Sequence, residues 1–270
     1  MRQPRSGPHR YVLGVLVLLP PSEGKRAPET GAPVDLTSLA FADELGARRA
    51  KALAALVKLA DGNRKRALGH LGLPVGLSGE VDRDATLLTA PAAPAAEVYT
   101  GVLFQHLDLA TLSPAALARA REHVLVASAL WGVVALEDRI PAYRLSIGAR
   151  LPALTRGGLA AWWRPALAKA LPDEPGQLTV DLRSGGYAAA WRPTRGTLVE
   201  VKASTAEGKP ISHMAKAVRG TVARRLLQAR SAATEPADVV RAAEGDGVGR
   251  VALHAPTRPG GAWTVEVVAA

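Results

Sequence analysis

Cysteine is absent from all 270 residues. That excludes a disulfide scaffold, a thiolate zinc site, a Cys-ligated iron–sulfur cluster and cysteine nucleophilic catalysis, and it leaves the compartment unconstrained by redox. Histidine is sparse and scattered. His9, His70, His106, His123, His213 and His254 show neither His-x-x-x-His nor His-x-x-Glu-His spacing, so the sequence predicts no metal site and no cofactor. The Gly-x-Ser-x-Gly elbow, the commonest serine-hydrolase signal, is missing. So is a Gly-x-Gly-x-x-Gly after a strand, although Gly245-x-Gly247-x-Gly249 has the look of a turn-rich loop. Long apolar runs are also lacking. The stretch Val12 to Leu19 follows Arg2, Arg5 and Arg10 in the manner of a signal peptide, but it falls short of the roughly 18 apolar residues that span a bilayer. It meets Pro20-Pro21-Ser22-Glu23-Gly24-Lys25 rather than a small-x-small cleavage site, so it reads as a buried strand leading into a functional loop. The expectation is a cytoplasmic protein with no membrane partner.

What is present suits a globular chain: 48% of residues are hydrophobic and 21% charged. Basic residues outnumber acidic ones by 34 to 24, for a net charge of +10. A polyanionic partner follows as an expectation, although net charge alone speaks to nonspecific binding. The surplus is uneven, since residues 1–135 hold 15 basic and 12 acidic side chains and residues 136–270 hold 19 and 12.

Strand and helix signals interleave along the chain, which predicts a mixed α/β fold. Strands are expected at 12–19, 124–130, 178–182, 197–203, 248–254 and 262–268, the second of them a continuous apolar run of the fully buried kind. Helices are expected over 43–60, 64–70, 78–88, 159–171 and 212–230, and from the Ser113-Pro114 cap to His123. Residues 20–37 read as a long loop, and the segment after Trp131-Gly132 as irregular. No repeat or linker divides residues 15–270, so they are expected to form one compact domain with a mixed sheet flanked by helices, behind a disordered N-terminal extension of residues 1–14.

Four blocks point to anion chemistry. Ser22-Glu23-Gly24-Lys25 presents a lysine from a Gly-containing loop beyond a strand, a point charge for phosphate, but without Walker spacing. Ser-His-Met-Ala-Lys-Ala-Val-Arg-Gly at 212–220 opens a helix, and from Gly208 to Thr234 the chain carries six basic residues and no acid. On a helical wheel Met214, Val218, Val222 and Leu226 share one arc and His213, Lys216, Arg219, Arg224 and Arg230 the opposite one, which predicts a single cationic face. Asp138-Arg139-Ile140-Pro141-Ala142-Tyr143-Arg144 sets a stacking ring beside a guanidinium fork. Arg183-Ser184-Gly185-Gly186-Tyr187, at a strand end, lets a backbone approach a ligand closely.

In order along the chain, VLLPPSEGK (17–25), EVYTGVLF (97–104), ALWGVVALEDRIPAYRLSIGARL (129–151), the Trp163 helix, VDLRSGGYAAAW (180–191) and SHMAKAVRG (212–220) resemble the YaaA-type peroxide-stress proteins. The resemblance implies a single α/β domain with a cationic cleft and a helix-hairpin-helix-like element, which maps onto residues 48–88. It also implies DNA binding and a role in limiting unincorporated iron during peroxide stress. Lys25, Arg144, Lys216, Arg219 and Arg224 are the candidate DNA- or anion-binding residues. Ser22, Glu23, Tyr99, Thr100, Gly101, Tyr143, Ser184, Tyr187 and His213 are the candidate cleft-lining residues, and no catalytic residue is assigned.

Two functional readings result. The first is a noncatalytic stress protein that holds duplex or distorted DNA mainly through phosphates, with Tyr99, Tyr143 and Tyr187 stacking on unpaired bases. The second is an enzyme acting on a nucleotide or other phosphorylated small molecule in the same cleft, with Ser22, Glu23, Lys25, Tyr99 and Tyr143 as reacting groups. A deep pocket around Lys25 and Lys216 favours the second and a long open groove the first. Direct iron sequestration has the least support, because no cluster of His and carboxylates stands at ligand spacing.

Overall fold

The structure, a computed structural model, describes residues 14–204, 212–245 and 249–268. The N-terminal extension expected at residues 1–14 therefore lies outside the described residues, apart from Gly14. The side chains of Ser212 and His213 lie outside them too.

Among the described residues, nineteen strands and α-helices follow one another: β1 (Val15–Leu19), α1 (Ala42–Ala60), α2 (Arg64–Leu71), α3 (Ser78–Ala85), β2 (Ala93–Pro94), α4 (Ala95–Val98), α5 (Val102–Leu107), α6 (Pro114–His123), β3 (Val124–Ser128), β4 (Gly132–Ala135), β5 (Arg139–Ile140), α7 (Leu159–Ala170), β6 (Leu178–Asp181), α8 (Gly185–Ala188), β7 (Thr197–Ser204), α9 (Ser212–Gln228), α10 (Pro236–Ala243), β8 (Val251–His254) and β9 (Trp263–Val268). The expected mixed α/β class is what the structure has. Seven strands form one mixed sheet in the order β4-β3-β1-β6-β7-β9-β8, while β2 and β5 make a separate short antiparallel pair. The five inner strands β3, β1, β6, β7 and β9 are mutually parallel, and β4 and β8 close the edges antiparallel.

The apolar runs account for this arrangement. Every residue of β1, β3 and β4 is buried, the pattern of strands covered on both faces, where hydrophobicity is continuous rather than alternating. One contiguous apolar core runs from β1 through the helices to β9. The helices around it fall into two groups: α1 packs on α3 and α7, whereas α9 packs on α5, α6, α10 and β7. The stretch expected to hold the hairpin-like element comprises most of α1, together with α2, a short 3-10 turn and α3.

The structure departs from the sequence expectation at three places, residues 132–135, residues 139–140 and helix α10. Residues 132–135 are a strand rather than irregular chain, because the apolar run from Val124 to Leu136 folds back on itself without any change of hydrophobicity to mark the turn. Gly132 makes the reversal at φ 73°, and a Cβ there would stand 2.8 Å from the Trp163 ring. Residues 139–140 pair as β5 against β2, again inside the segment read as irregular. Helix α10 was not expected, although Glu235 and Asp238 form a capping box around Pro236 at its start. The block 97–104 forms parts of two short helices, parted at Gly101 where φ is 112°.

Candidate functional site

The site grows out of the sheet topology. From β1 the chain crosses to β3 on one side, and from β6 it continues to β7 on the other, so neighbouring β1 and β6 send their connections in opposite directions. The carboxyl ends of such a strand pair part to leave a crevice where α/β proteins bind ligands. A cleft of about 460 Å³ lies there, lined by Pro20 to Lys25 after β1 and by Ser184 and Tyr187 after β6. Thr100 to Phe104, Arg144 to Gly148, and Lys216 and Arg219 of α9 complete its walls.

Pro20 and Pro21 stop β1, and the following loop is fastened by its own polar atoms. Ser22 Oγ donates to Gly24 O at 2.6 Å and accepts Thr100 N–H at 3.0 Å, while Thr100 Oγ1 donates to the same carbonyl at 3.2 Å. Lys25 bridges Tyr99 in an antiparallel pairing, and Arg26 N–H donates to Val98 O. The loop after β1 is thereby tied to the segment before α5. On the β6 side, the Arg183 guanidinium and Asp181 form a buried two-pronged ion pair at 2.8 Å. Arg183 also donates to Trp191 O at 2.7 Å, which fixes the turn that carries Ser184 and Tyr187.

Lys25 sits at the floor. Its Nζ donates to Ser22 O at 2.7 Å and lies 4.3 Å from the centroid of the Tyr143 ring and 5.6 Å from that of Tyr99. Burial, reinforced by the like charge of Arg144, pulls its pKa down to about 7 against the opposing pull of Asp84, Glu80 and Glu23. Beneath it runs a hydroxyl chain. Ser128 Oγ accepts the N–H groups of Leu130 and Trp131, which leaves its own hydrogen for Tyr143 Oη at 2.6 Å. Tyr143 Oη in turn contacts Tyr99 Oη at 2.9 Å. Burial holds both phenols well above their usual pKa, so they remain neutral.

Asp84 of α3 is fully buried, accepts Arg144 N–H at 2.8 Å through Oδ1, and leaves Oδ2 without a hydrogen-bond partner. Burial raises its carboxyl to about 7, against the opposing effects of that hydrogen bond and of Lys25. The Arg144 guanidinium reaches Glu23 at 3.1 Å across the cleft mouth. Arg219 donates to Val201 O at 3.3 Å, and its pKa is lowered mainly by burial. Among the described residues, no three His, Cys, Asp or Glu side chains gather where they would hold a metal ion. Nor is any helix among them long and apolar enough to cross a membrane.

The structure thus brings together Ser22, Glu23, Lys25, Thr100, Gly101, Arg144, Ser184, Tyr187, Lys216 and Arg219, which are far apart in sequence. It does not bring Arg224 to them: that guanidinium donates to Leu107 O and Asp108 O at the end of α5. Tyr99 and Tyr143 are 2% and 1% exposed and lie under Lys25 rather than along the cleft wall, so the stacking surface expected of them is not offered. The single cationic face expected of the 212–230 helix is also absent. Arg219 turns to the sheet, Arg224 to α5 and Arg225 to the carbonyls after α10, while Met214 of the expected apolar stripe is exposed. Sequence reasoning passed over Asp84 and Ser128. A signal for Asp84 existed, since it falls at helical spacing between Val81 and Leu87, both buried, and an acid on an apolar stripe is rarely accidental. Ser128 is the one hydroxyl inside the run Val124 to Leu130.

Residues 15–246 match the family described as peroxide stress protein YaaA. The chain belongs to the YaaA family. Related chains agree with that membership. A UPF0246 protein of Streptomyces coelicolor is 46% identical over 263 residues, covering 94% of this chain and 98% of its own length. A UPF0246 protein of Corynebacterium efficiens is 37% identical over 238 residues, covering 87% and 94%. One from Ruegeria pomeroyi is 30% identical over 221 residues, covering 75% and 86%. Every residue of the cleft wall, from Pro20 to Arg219, lies inside the YaaA match, as do the buried Asp84 and Ser128.

Proposed function

We propose that this YaaA-family chain binds DNA through the cleft at the β1/β6 crevice and so helps limit oxidative, iron-dependent damage during peroxide stress in the cytoplasm. One observation carries the reading: Arg144, Lys216 and Arg219, from separate parts of the chain, converge on one cleft of about 460 Å³ with Lys25 at its floor. Convergent cations in a low-dielectric recess focus potential on an anion far more than scattered surface charge does. The size of the cleft refines the partner. A volume in the range that holds small ligands admits a nucleotide unit but not the width of a duplex, so distorted or unpaired strands are favoured over intact duplex. Phosphates would meet Lys216, Arg144 and Arg219, with Tyr187 as the available ring face.

The test is a titration with labelled duplex, bubble-containing and single-stranded DNA across a salt series. Affinity is expected to be highest for bubble or single strand and to drop by about 10-fold or more between 50 and 200 mM salt. Lys216→Ala with Arg219→Ala should weaken it by a comparable factor. Binding that is indifferent to salt, or that survives the double substitution, overturns the reading.

Two observations favour the enzyme reading: the recess is a pocket of small-ligand size around Lys25 and Lys216 rather than a long open groove, and the Lys25 and Asp84 pair has both pKa values drawn to about 7. Phosphate binding by itself has no use for a lysine half deprotonated at neutral pH. A thermal-shift screen of nucleotides and sugar phosphates separates this reading from one confined to DNA.

A further inference from the structure

The cations of the cleft are not alike. Arg144 spans its mouth to Glu23, Lys216 is exposed, and Arg219 stands against β7, all three bordering the space an anion would enter. Lys25 is sunk instead. Its amine is held by Ser22 O at 2.7 Å over the faces of two neutral, buried tyrosines. Arg144 acts on it as a like charge, and Asp84, Glu80 and Glu23 act as counter-charges. A lysine in an aromatic recess beside another cation is a poor phosphate clamp. It has the environment that supplies a free amine for attack on a carbonyl.

We propose that Lys25 is a carbonyl-reactive amine and that the cleft takes an open-chain sugar aldehyde bearing phosphate, held by Arg144, Lys216 and Arg219 while its carbonyl carbon meets Lys25 Nζ. An abasic site in DNA is the strand-borne form of this ligand and a free sugar phosphate the soluble form. The inference deepens the reading given above and rests on the cleft binding phosphate-bearing ligands. The nitrogen lone pair adds to the aldehyde carbon as the carbon–oxygen π bond opens, giving a carbinolamine. The former carbonyl oxygen then leaves as water with the two amine hydrogens, and a carbon–nitrogen double bond remains. No oxidant or reductant is consumed, and hydrolysis reverses the step. The fully buried Asp84, with Oδ2 unpartnered, is a positioning residue for this chemistry, since its carboxylate biases the amine between its charged and neutral forms.

The experiment incubates the full chain with sodium cyanoborohydride and one of three probes: a duplex carrying a single abasic site, the same duplex intact, or ribose 5-phosphate. Hydride reduction fixes any imine as a secondary amine, read as a covalent adduct by denaturing gel and intact mass and located by peptide mapping. An adduct on Lys25 with the abasic duplex or with ribose 5-phosphate supports the inference, and the arm that gives it identifies the source. Its formation should rise to half-maximum near pH 7, as the amine loses its proton, rather than above pH 10. Lys25→Arg, which keeps the charge but cannot form the imine, should lower the yield by about 100-fold. Mapping the wild-type chain keeps the test decisive even if that variant folds poorly. No adduct, or label spread over Lys51, Lys58 and Lys65 with Lys25 unlabelled, overturns the inference. Salt-sensitive binding of intact or bubble DNA without an adduct leaves the DNA reading standing and this one fallen. An adduct with ribose 5-phosphate but no DNA binding does the reverse.

Discussion

At the residue scale, the most informative feature is a pair of opposite charges that folding works against. The Asp84 carboxyl, raised to about 7 from 3.8, takes up a proton in the folded state at pH values where the unfolded chain has already lost it. Stability from this group therefore falls as pH rises from about 4 to about 7. Lys25, lowered to about 7 from 10.5, has the opposite sense: the unfolded chain holds the extra proton between about 7 and 10.5, so its contribution recovers as pH rises through that window. Near neutrality both groups are least favourable to folding. Asp84→Asn keeps an acceptor for Arg144 N–H and removes the buried charge. It should raise stability on the order of 1–2 kcal/mol at pH 8 and have little effect at pH 4.5, measured by urea unfolding at the two pH values. A loss of stability at pH 8 would show that the Asp84 carboxylate is better compensated than its orphaned Oδ2 implies. Lys25 was readable from its loop motif, and Asp84 was within reach of a helical-spacing argument through Val81 and Leu87. The Tyr99–Tyr143–Ser128 chain was not readable, because hydroxyls 44 and 15 residues apart in sequence meet only when β3 and the two flanking loops are assembled.

At the element scale, α9 shows how a helical wheel misleads when a helix is packed on several sides. The wheel assumes one apolar neighbour and one solvent face, but α9 touches α5, α6, α10 and β7 together. Its arginines then serve as caps and braces: Arg224 satisfies the carbonyls that end α5, and Arg225 satisfies those that follow α10. Among the described side chains of the expected cationic face, Lys216 and Arg219 line the cleft. The approach of α9 to α5 depends on Gly220, where a Cβ would stand 2.3 Å from Leu103 O and 2.8 Å from the His106 Cβ. Backbone cannot yield as a flexible side-chain tip can, so Gly220→Ala must push the helices apart. A loss of about 1–3 kcal/mol in urea unfolding is expected. DNA affinity should weaken as well, because Leu103 and Arg219 border the cleft from these two helices. Unchanged stability would mean that the contact relaxes at no cost.

At the scale of the whole molecule, the net charge of +10 and the placed charge of the cleft make different predictions. Lys169 and Arg195 border a separate surface recess, and Arg195 precedes β7, at the strand end opposite the cleft. Lys169→Ser with Arg195→Ser removes as much charge as Lys216→Ala with Arg219→Ala. If placement governs binding, the remote pair should change DNA affinity by no more than about 2-fold at physiological salt, because charges beyond a Debye length are screened. Equal losses from the two pairs would return the explanation to bulk charge. The sequence by itself determined the α/β class, most of the strands and helices, and the loop that carries Lys25, because hydrophobic period, caps and prolines are local signals. The tertiary structure alone decided that Arg224 is a brace and Tyr99 and Tyr143 a floor, and that four cations share a cleft with a buried acid close enough to act on Lys25. Those outcomes depend on which strand lies beside which. The β1/β6 crevice exists because β6 pairs with a strand more than 150 residues earlier in the chain, and no local pattern records that choice.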